Sequence, residues 1–326
     1  MYSQRIVVTG GAGYVGSHFC KYAKNKGHEI FIIDNLSTGH EHFVKWGEFF
    51  KIDVRETEKI NQIISKIKPN YVVHFAASAY VNESLAKPLD YIRNNIGGME
   101  SITRVCSNHL IPIIFSSSCS VYGEAKNLPI NEGSDLKPVN PYGETKLLCE
   151  KILNWSEKAY KLKYVSLRYF NAAGADFELV IGEDHTPETH LIPLAIRSLD
   201  KGPKLKIFGN DYNSFDGTAI RDYIHVNDLA SAHLKAIEYL DNGGHSEVFN
   251  LGSGSGTSIM TIINRLESIT NLKINKEICK KREGDPSKLY ADITKAKNIL
   301  NWEPKYSNID EILNSALNWH KKLCQK

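Results

Sequence analysis

A tyrosine and a lysine stand four residues apart, at Tyr142 and Lys146, some two dozen residues after the hydroxyl-rich run Ser116–Ser118. On a helix, side chains at i and i+4 share one face, with Cβ atoms ~5–6 Å apart. The ammonium can then lie near the phenol and favour the phenolate form. This spacing is typical of a tyrosine that acts as a general base.

Such a base needs help from its surroundings, because an unperturbed tyrosine has a pKa of ~10 and a shift of ~3 units, about 4 kcal/mol, is needed near neutral pH. A lysine, a positively charged cofactor ring and a serine hydroxyl that bonds the oxyanion could supply this together. Alone, this spacing is weak evidence for a catalytic base, since tyrosine and lysine on a helix surface usually serve packing and solvation. It gains weight from the serine run at a predicted strand end and from a glycine-rich loop near the chain start.

That loop joins the first predicted strand, Arg5–Thr9, to a predicted helix that ends at Gly27. Its glycines allow a tight turn, close approach of a pyrophosphate and close packing of helix on strand, while the helix N-terminus faces the anion. The second predicted strand ends at Asp34, about 20 residues further on, where a carboxylate can bond the ribose hydroxyls. A carboxylate there repels a 2′-phosphate, so the sequence favours NAD over NADP. The loop glycines are Gly10, Gly13 and Gly16.

Strand-type and helix-type patterns alternate through the first half of the sequence. This alternation predicts a doubly wound parallel sheet of the Rossmann type, with ligands at the carboxyl ends of its strands. Residues that follow predicted strands should therefore line one crevice. The predicted strands include 30–34, 48–54, 71–75, 112–115 and 164–168, the predicted helices include 57–66, 88–106 and 141–159, and the residues that follow strands are Asp34, Asp53, Ala76, Ser116–Ser118 and Tyr169.

The alternation stops after about Phe170, where a segment rich in glycine, aspartate, proline and histidine begins. We predict an α/β fold with a nucleotide-binding domain at 1–171 and a smaller, mixed α/β substrate domain at 172–326. Residues at about 217–257 are candidates for a return to the first domain. Two arginines of the second half, Arg221 and Arg282, stand beside acids and glycine, which suits either surface salt bridges or a bidentate clamp on a diphosphate.

The composition, 42% hydrophobic and 24% charged, is that of a folded globular protein. A net charge of +3 without blocks of like charge argues against nucleic acid as a partner, and no uncharged stretch reaches the ~18 residues that span a membrane. The six scattered cysteines suggest reduced thiols, and the early first strand leaves no room for a signal peptide, so we expect a cytoplasmic protein. No metal site is expected.

Three motifs resemble those of the extended short-chain dehydrogenase/reductases: the glycine loop 9–16, the serine run with Val121-Tyr122-Gly123, and the segment 141–146. Four further segments are similar to the nucleotide-sugar epimerases, and specifically to the UDP-glucose 4-epimerases. The resemblance covers essentially the whole chain. The four segments are Arg168-Tyr169-Phe170-Asn171, Ile207-Phe208-Gly209-Asn210-Asp211-Tyr212, Arg221-Asp222-Tyr223-Ile224-His225-Val226 and Arg282-Glu283-Gly284-Asp285.

The resemblance implies reversible 4-epimerisation of UDP-glucose and UDP-galactose through a 4-keto intermediate, with tightly bound NAD that is regenerated in each turnover, in a helix-paired homodimer. Tyr142 would be the base on the sugar 4-hydroxyl, Lys146 would bind the nicotinamide ribose and lower the tyrosine pKa, and Ser118 would bond the same oxygen. The implied NAD contacts, beside the loop glycines, Tyr142 and Lys146, are Tyr14, Val15, Asp34, Asn35, Asp53, Val54, Phe75, Ala76, Ala77, Asn94 and Phe170. The implied UDP-sugar contacts, beside Ser118 and Tyr142, are Asn171, His190, Leu191, Phe208, Arg221, Arg282 and Asp285.

Three positions depart from the family pattern or leave it open. His190 stands where well-known members have an asparagine, and Ala79 stands where some members place a lysine near the pyrophosphate. Leu289 falls where members vary a residue that gates N-acetylated sugars, and leucine leaves both sugar classes open.

Other functions share part of this pattern. A nucleotide-sugar 4,6-dehydratase would place an Asp-Glu pair after the catalytic hydroxyl residue, where this chain has Cys119-Ser120. The sequence argues less firmly against a net dehydrogenase, which would release reduced cofactor, than against a dehydratase. A non-catalytic dinucleotide sensor is a further alternative, since fold does not imply function. A sensor has no need of the tyrosine base.

Overall fold

The computed structural model describes residues 3–282 and 286–325. The helices are α1 (Tyr14–Asn25), α2 (Thr57–Ile67), α3 (Val81–Ala86), α4 (Pro88–Tyr91), α5 (Gly97–His109), α6 (Pro141–Tyr160), α7 (Leu191–Arg197), α8 (Val226–Asp241), α9 (Ile259–Thr270), α10 (Thr294–Leu300) and α11 (Ile309–Leu323), with 3₁₀ turns at Glu41–Phe43 and Cys119–Val121. The strands are β1 (Arg5–Thr9), β2 (Glu29–Asp34), β3 (Glu48–Lys51), β4 (Tyr71–His74), β5 (Ile113–Ser118), β6 (Tyr164–Tyr169), β7 (Asn171–Ala173), β8 (Leu205–Phe208), β9 (Ile220–Arg221), β10 (Tyr223–His225), β11 (Glu247–Leu251), β12 (Thr257–Ser258), β13 (Lys276–Cys279) and β14 (Lys288–Leu289).

Seven parallel strands form the central sheet in the order β11-β6-β5-β4-β1-β2-β3. Because side chains alternate along a strand, Ile6 and Val8 of β1 pack on the face covered by α1 and α8, and Val7 packs on the face covered by α2 and α5. Both faces are therefore apolar and covered. The predicted doubly wound parallel sheet is confirmed.

The region at about 217–257 contributes to this sheet. Strand β11 lies at its edge beside β6, and α8 packs against α1. A separate apolar cluster, formed from α7, α9, α11 and strands β8 and β10, makes up the smaller second body. The topology thus favours a return of the chain to the first domain, although the boundary at residue 171 itself stays a prediction.

Several elements differ from the predicted ones. Strand β3 ends at Lys51 rather than at Val54, because the Asp53 carboxylate accepts the backbone N–H of Arg55 and turns the chain. The serine run lies inside β5 instead of after it. Helices α3 and α7 were not predicted, since both are short and α7 lies beside a segment with the composition of a loop. Within the described ranges, none of the helices combines the length and the apolar character that membrane crossing requires.

Candidate active site

Tyr142 and Lys146 lie in the first two turns of α6. Pro141 takes the first helical position, where its missing N–H breaks no hydrogen bond. The side chain of Asn140 caps the helix by accepting the Gly143 N–H at 2.9 Å. The Asn-Pro pair therefore starts the helix directly before the tyrosine and sets the tyrosine and lysine on one face.

The third predicted catalytic residue meets the other two at this helix end. Lys146 is only 3% exposed. Its Nζ donates to the Ser116 carbonyl oxygen at 2.7 Å and lies 5.8 Å from the centre of the Tyr142 ring. Ser118 ends β5, and its hydroxyl lies close enough to the Tyr142 phenol to lower the pKa of that group. The structure thus brings the serine, tyrosine and lysine together at the carboxyl end of the sheet.

Burial governs the charge of both titratable groups. It raises the pKa of Tyr142 to about 12, against a smaller opposing effect of the Ser118 hydrogen bond. It lowers the pKa of Lys146 to about 8, because a buried site disfavours the charged form of either group. The protein alone therefore does not produce the lowered tyrosine pKa expected from the sequence.

A buried ion pair fixes α6 against the sheet. Arg168 on β6 donates to the two oxygens of Glu150 on α6 at 2.9 and 2.6 Å. Ser117 donates to the same carboxylate at 2.5 Å, and Arg168 also donates to the Tyr122 hydroxyl at 2.9 Å. Loss of either charge would leave the other buried and unpaired. This network therefore holds the serine strand and the tyrosine helix in register, a role that the sequence analysis did not identify.

One turn of π-helix, Ile92–Ile96, joins α4 to α5 and carries two consecutive asparagines toward the site. Asn95 donates to the Thr145 hydroxyl on α6 at 3.0 Å, and Asn94 donates to the Ser78 hydroxyl at 3.0 Å. Turns of this kind are frequent at functional sites. Asn94 is predicted from the family pattern, whereas the role of Asn95 is not, and its position next to Asn94 is the one signal for it in the sequence.

The loop at the start of α1 requires glycine at two positions. Gly10 has φ +72°, and a Cβ there would lie 2.6 Å from the Ala76 nitrogen. A Cβ on Gly16 would lie 2.2 Å from the Gly10 carbonyl oxygen. Gly13 is the N-cap of α1, which has no side-chain cap bond and no acid in its first turn. The first N–H groups of the helix are therefore disposed to receive an anion.

Asp34 lies at the end of β2, directly beside this loop. Its Oδ2 accepts the Ala12 N–H at 3.0 Å, and its Oδ1 accepts the Leu36 N–H at 2.8 Å. Burial raises the pKa of this carboxyl group, and the two backbone hydrogen bonds oppose the rise. The glycine loop itself therefore holds the Asp34 carboxylate in place.

Beyond Asp34, a second acid is fixed by its neighbours. Asp53 accepts hydrogen bonds from Arg55 Nε and Nη2 at 2.8 and 2.6 Å, and from Asn35 Nδ2 at 2.9 Å. The Arg55 hydrogen bonds hold the pKa of Asp53 well below its usual range. Val54 is buried against the α5 backbone at Gly98. These contacts fix the segment that follows β3, beyond Asp34 at the end of β2.

The other predicted cofactor residues lie at the same, carboxyl end of the sheet. Tyr14 and Val15 open α1, and the Tyr14 hydroxyl donates to the Gly174 carbonyl oxygen at 2.6 Å. An uncapped helix end above a glycine turn suits a pyrophosphate, and two acids further along suit an adenosine, so the residues fit a dinucleotide. Phe75, Ala76 and Ala77 directly follow β4, and Phe170 directly follows β6.

Two predicted substrate residues lie on neighbouring strands. Asn171 begins β7, and its backbone N–H and side-chain amide both donate to the Asp222 carbonyl oxygen, at 2.9 and 3.1 Å. Arg221, which directly precedes Asp222, ends β9. Its positive charge opposes the rise that burial causes in the pKa of the Cys119 thiol, next to Ser118. The structure therefore brings this arginine near the end of β5, where Ser118 lies.

The Asp222 carboxylate holds this strand in place. It is fully buried and accepts hydrogen bonds from Ser253, Gly254 and Ala291 at 2.6–3.2 Å. Burial raises the pKa of this group to about 6 despite these bonds. Asp222 thus fixes the backbone beside Arg221, and the sequence analysis assigned it no role.

The remaining predicted substrate residues lie in the second body. The Arg282 guanidinium stacks on the Phe208 ring, 3.9 Å from its centre. Leu191 begins α7, and His190 precedes it. The His190 imidazole lies 2.8 Å from the Glu183 carboxylate, a partner that the sequence analysis missed. The prediction for Asp285 lies outside the described residues.

Comparison with known proteins extends these observations. Residues 6–252 match the model of the NAD dependent epimerase/dehydratase family. The UDP-glucose 4-epimerase of Halalkalibacterium halodurans is 44% identical over 319 residues, 97% of this chain and 96% of that protein. The structure of UDP-glucose 4-epimerase from Brucella ovis in complex with NAD matches with a TM-score of 0.94 and 44% identity, covering 97% of this chain and 98% of that one. The UDP-Glc/GlcNAc 4-epimerase of Campylobacter jejuni matches with a TM-score of 0.86 and 37% identity, covering 98% and 100%.

Proposed function

The chain belongs to the NAD dependent epimerase/dehydratase family, and from that premise we propose that it interconverts UDP-glucose and UDP-galactose by epimerisation at carbon 4. The observation that carries this proposal is the meeting of Ser118, Tyr142 and Lys146 beside a dinucleotide crevice. Relatives that match over almost the whole chain bear the same function in their names.

In the proposed reaction Tyr142 takes the proton of the sugar 4-hydroxyl, and Ser118 donates a hydrogen bond to the same oxygen. Bound NAD would supply the acceptor, and then the donor, of the hydrogen on carbon 4. The 4-keto sugar turns about its diphosphate linkage, and Tyr142 returns the proton after the opposite face has been reduced. The protein must therefore bind the nucleotide tightly and the sugar weakly enough for the sugar to turn.

Electrostatics explain why the tyrosine works only in the complete site. Burial leaves the pKa of Tyr142 at about 12, so the phenolate needs positive charge nearby. Lys146 has a pKa of about 8 and therefore carries its proton at neutral pH. The positively charged nicotinamide ring would supply the second charge needed to stabilise the Tyr142 phenolate.

Residues of the second body are suited to bind the nucleotide part of the substrate. Arg221 and Arg282 are proposed to bind the diphosphate, for which a guanidinium offers parallel donors. Phe208, already stacked on Arg282, offers a flat apolar surface beside it. We also propose that Asn171, His190 and Leu191 contact the UDP-sugar.

The experiment that tests the function is NMR of the purified protein with UDP-galactose and no added NAD. We expect UDP-glucose to appear until the two sugars reach a stable ratio, because the cofactor is regenerated in each turnover and stays bound. No conversion after addition of NAD would contradict the proposal. A 4,6-dehydratase would instead give a 4-keto-6-deoxy product, but Cys119 and Ser120 stand where its acids would be needed.

A second sugar class is proposed on a specific observation. The matched Campylobacter jejuni enzyme is described as acting on both UDP-Glc and UDP-GlcNAc. Leu289 stands at the gating position and pairs through β14 with Arg221 of β9. UDP-N-acetylgalactosamine in the same NMR experiment would show whether this leucine admits the acetamide.

We further propose a homodimer that pairs through helices. Large apolar side chains are exposed along α3–α5, including Leu85 at 61%, Leu89 at 75% and Ile92 at 46%. Trp155 on α6 is 57% exposed, and it shares a face with Leu148, which lines an apolar groove between α4 and α6. A second copy of the same two helices would cover this surface.

We also propose that this enzyme is cytosolic. The six cysteines are all free, and three of them, Cys20, Cys106 and Cys149, are buried. Thiols kept in this form suit a reducing compartment.

A further inference from the structure

A cluster of two carboxylates and two imidazoles lies in the segment that leads into α7. Glu183, His185, Glu188 and His190 alternate within eight residues, and one ligating atom of each lies within 4.8 Å of all the others. The side chains of Glu183 and Glu188 are 6% and 0% exposed, and that of His185 is 16% exposed. The cluster is therefore largely withdrawn from solvent, with His190 at its outer side.

Four separations between atoms of the cluster are close to those between ligands around a small cation, and the ligating atoms all lie within 4.8 Å of one another. His190 Nδ1 lies 2.8 Å from Glu183 Oε1 and 3.2 Å from Glu188 Oε1. His185 Nδ1 lies 3.4 Å from Glu183 Oε1 and 3.8 Å from Glu188 Oε2. A tetrahedral Zn²⁺ site with bonds of ~2.0–2.1 Å has neighbouring ligand atoms about 3.4 Å apart. The observed separations straddle this value.

Three atoms of the cluster lack the hydrogen bonds that burial normally demands. Among the described residues, Glu183 Oε1, His185 Nδ1 and Glu188 Oε2 have no hydrogen-bond partner of acceptable geometry, although all three are buried. Glu188 is oriented by its other oxygen, which accepts the N–H groups of Thr189 and His190 at 2.7 and 2.8 Å. The free oxygen is thereby held toward the cluster.

We propose that Glu183, His185, Glu188 and His190 bind one divalent transition-metal cation, Zn²⁺ in preference to others. Each histidine would offer Nδ1 and each glutamate one oxygen, which gives four ligands. The two carboxylates neutralise the charge of the cation, and imidazole and carboxylate are both ligands that Zn²⁺ accepts. A site closed by four protein ligands is structural rather than catalytic.

The position of the cluster indicates what the metal would do. The His185 ring lies edge-on to the Tyr14 ring at 6.1 Å and to the Tyr80 ring at 5.6 Å, and Tyr14 opens α1 at the nucleotide loop. His190 directly precedes α7. A bound cation would therefore fix the start of α7 to the nucleotide loop. His190 would bind the cation through Nδ1 and keep Nε2 for the proposed sugar contact, so this inference does not depend on the proposed epimerase activity.

The first test uses the intact protein. Metal is removed with a chelator, the protein is equilibrated with Zn²⁺ and desalted, and retained zinc is measured by mass spectrometry. We expect one zinc per chain, and Co²⁺ in its place should give the intense visible absorption of a tetrahedral site. Protein that retains no zinc, with the cluster serving as ion pairs only, would overturn the proposal.

The second test locates the metal. The double variant His185→Gln/Glu188→Gln should lose zinc affinity by more than the ~10–100-fold that loss of a second-sphere partner costs. His109→Gln, at an exposed histidine at the end of α5, is the matched control and should retain one equivalent. Circular dichroism would show that both variants are folded. Undiminished zinc binding by the folded double variant would mean that other histidines hold the metal, which also overturns the proposal.

Discussion

At the scale of single residues, the site combines groups whose charged forms are all disfavoured by burial. Tyr142, with a pKa raised to about 12, and Lys146, with a pKa lowered to about 8, are held together by Ser118 and the carbonyl of Ser116. The proposed base is therefore protonated at neutral pH in the protein alone, and we expect it to need a positively charged ligand before it can act.

Replacing Tyr142 by phenylalanine removes the proposed base and leaves the packing of its ring. We expect turnover of UDP-galactose to fall by ~10²–10⁴-fold, the usual contribution of a general base, while NAD stays bound. A coupled spectrophotometric assay and the cofactor released on denaturation would measure both. Tyr160→Phe, at the exposed end of the same helix, is the matched control. Unchanged activity of the Tyr142 variant would remove this residue from the mechanism.

A buried histidine should make the fold sensitive to acid. Burial, helped by the charge of Lys146, lowers the pKa of His74 to about 3, whereas an unfolded histidine titrates near ~6.5. Between these values the unfolded chain binds the extra proton, so stability is present above pH ~6.5 and is lost as the pH falls. This residue should reduce the free energy of unfolding by about 2 kcal/mol between pH 7 and pH 5.

The measurement is urea unfolding of the wild type and of His74→Asn at both pH values. The asparagine amide can keep the hydrogen bond to Thr9, which is 2.7 Å in the wild type. The variant should lose less stability than the wild type on acidification. Equal losses would show that His74 is not the group that titrates.

Whether the role of a residue can be predicted from the sequence depends on how far apart along the chain its contacts lie. Tyr142 and Lys146 are four residues apart, so the helix alone brings them together. Glu150 and Arg168 meet across an element boundary, and Asp222 bonds residues some thirty and seventy positions away. Such partners leave no local pattern, so the sequence analysis could not assign their roles.

At the scale of elements, the two glycines Gly10 and Gly27, which lie before and after α1, differ in why glycine suits their position. Gly10 and Gly27 both have positive φ, at +72° and +90°. A Cβ on Gly10 would clash with the backbone of Ala76, whereas a Cβ on Gly27 would meet nothing within 4 Å. The two positions therefore form a matched pair.

Gly27→Ala should cost only the backbone strain, about 1–2 kcal/mol of the free energy of unfolding, and keep NAD. Gly10→Ala should destabilise the protein by more than this and abolish NAD binding, because the loop must move away from β4. Urea unfolding and the NAD content of the purified variants would measure both effects. Retention of NAD by Gly10→Ala would contradict the described loop geometry.

Elements with long, regular patterns were predicted closely, and those set by side-chain hydrogen bonds were not. Helices α2 and α6 each differ from their predicted bounds by one residue. The π-helical turn Ile92–Ile96 escaped prediction, because one extra residue in a turn hardly changes the apolar pattern around it. The early end of β3 depends on the Asp53 carboxylate, whose partners become visible only in the fold.

At the scale of the whole molecule, the sheet and the second body share one chain that crosses between them more than once. Pairing of β11 with β6 links residues about eighty positions apart, and α8 covers the helix of the nucleotide loop. Periodicity alone could not give the position of β11 in the sheet. The sequence therefore predicted the class of sheet and a return of residues at about 217–257 to the first domain, but not the strand beside which they lie.

The exposed apolar helices predict the state of assembly. Leu89→Lys would place a charge in the proposed dimer interface, and we expect light scattering to show a shift from dimer toward monomer. Phe215→Lys is the matched control, since Phe215 is equally exposed, at 76% against 75%, in a polar loop of the second body. A wild-type protein that is monomeric at assay concentrations would contradict the dimer.

The most direct test of the central claim is epimerisation of UDP-galactose in D₂O, followed by proton NMR of the product. The account predicts UDP-glucose that retains its original hydrogen on carbon 4, because Tyr142 moves only the proton on oxygen and the hydrogen on carbon never reaches solvent. Deuterium on carbon 4 would show that a base abstracts the carbon-bound proton. That result would contradict the proposed roles of both Tyr142 and the dinucleotide crevice.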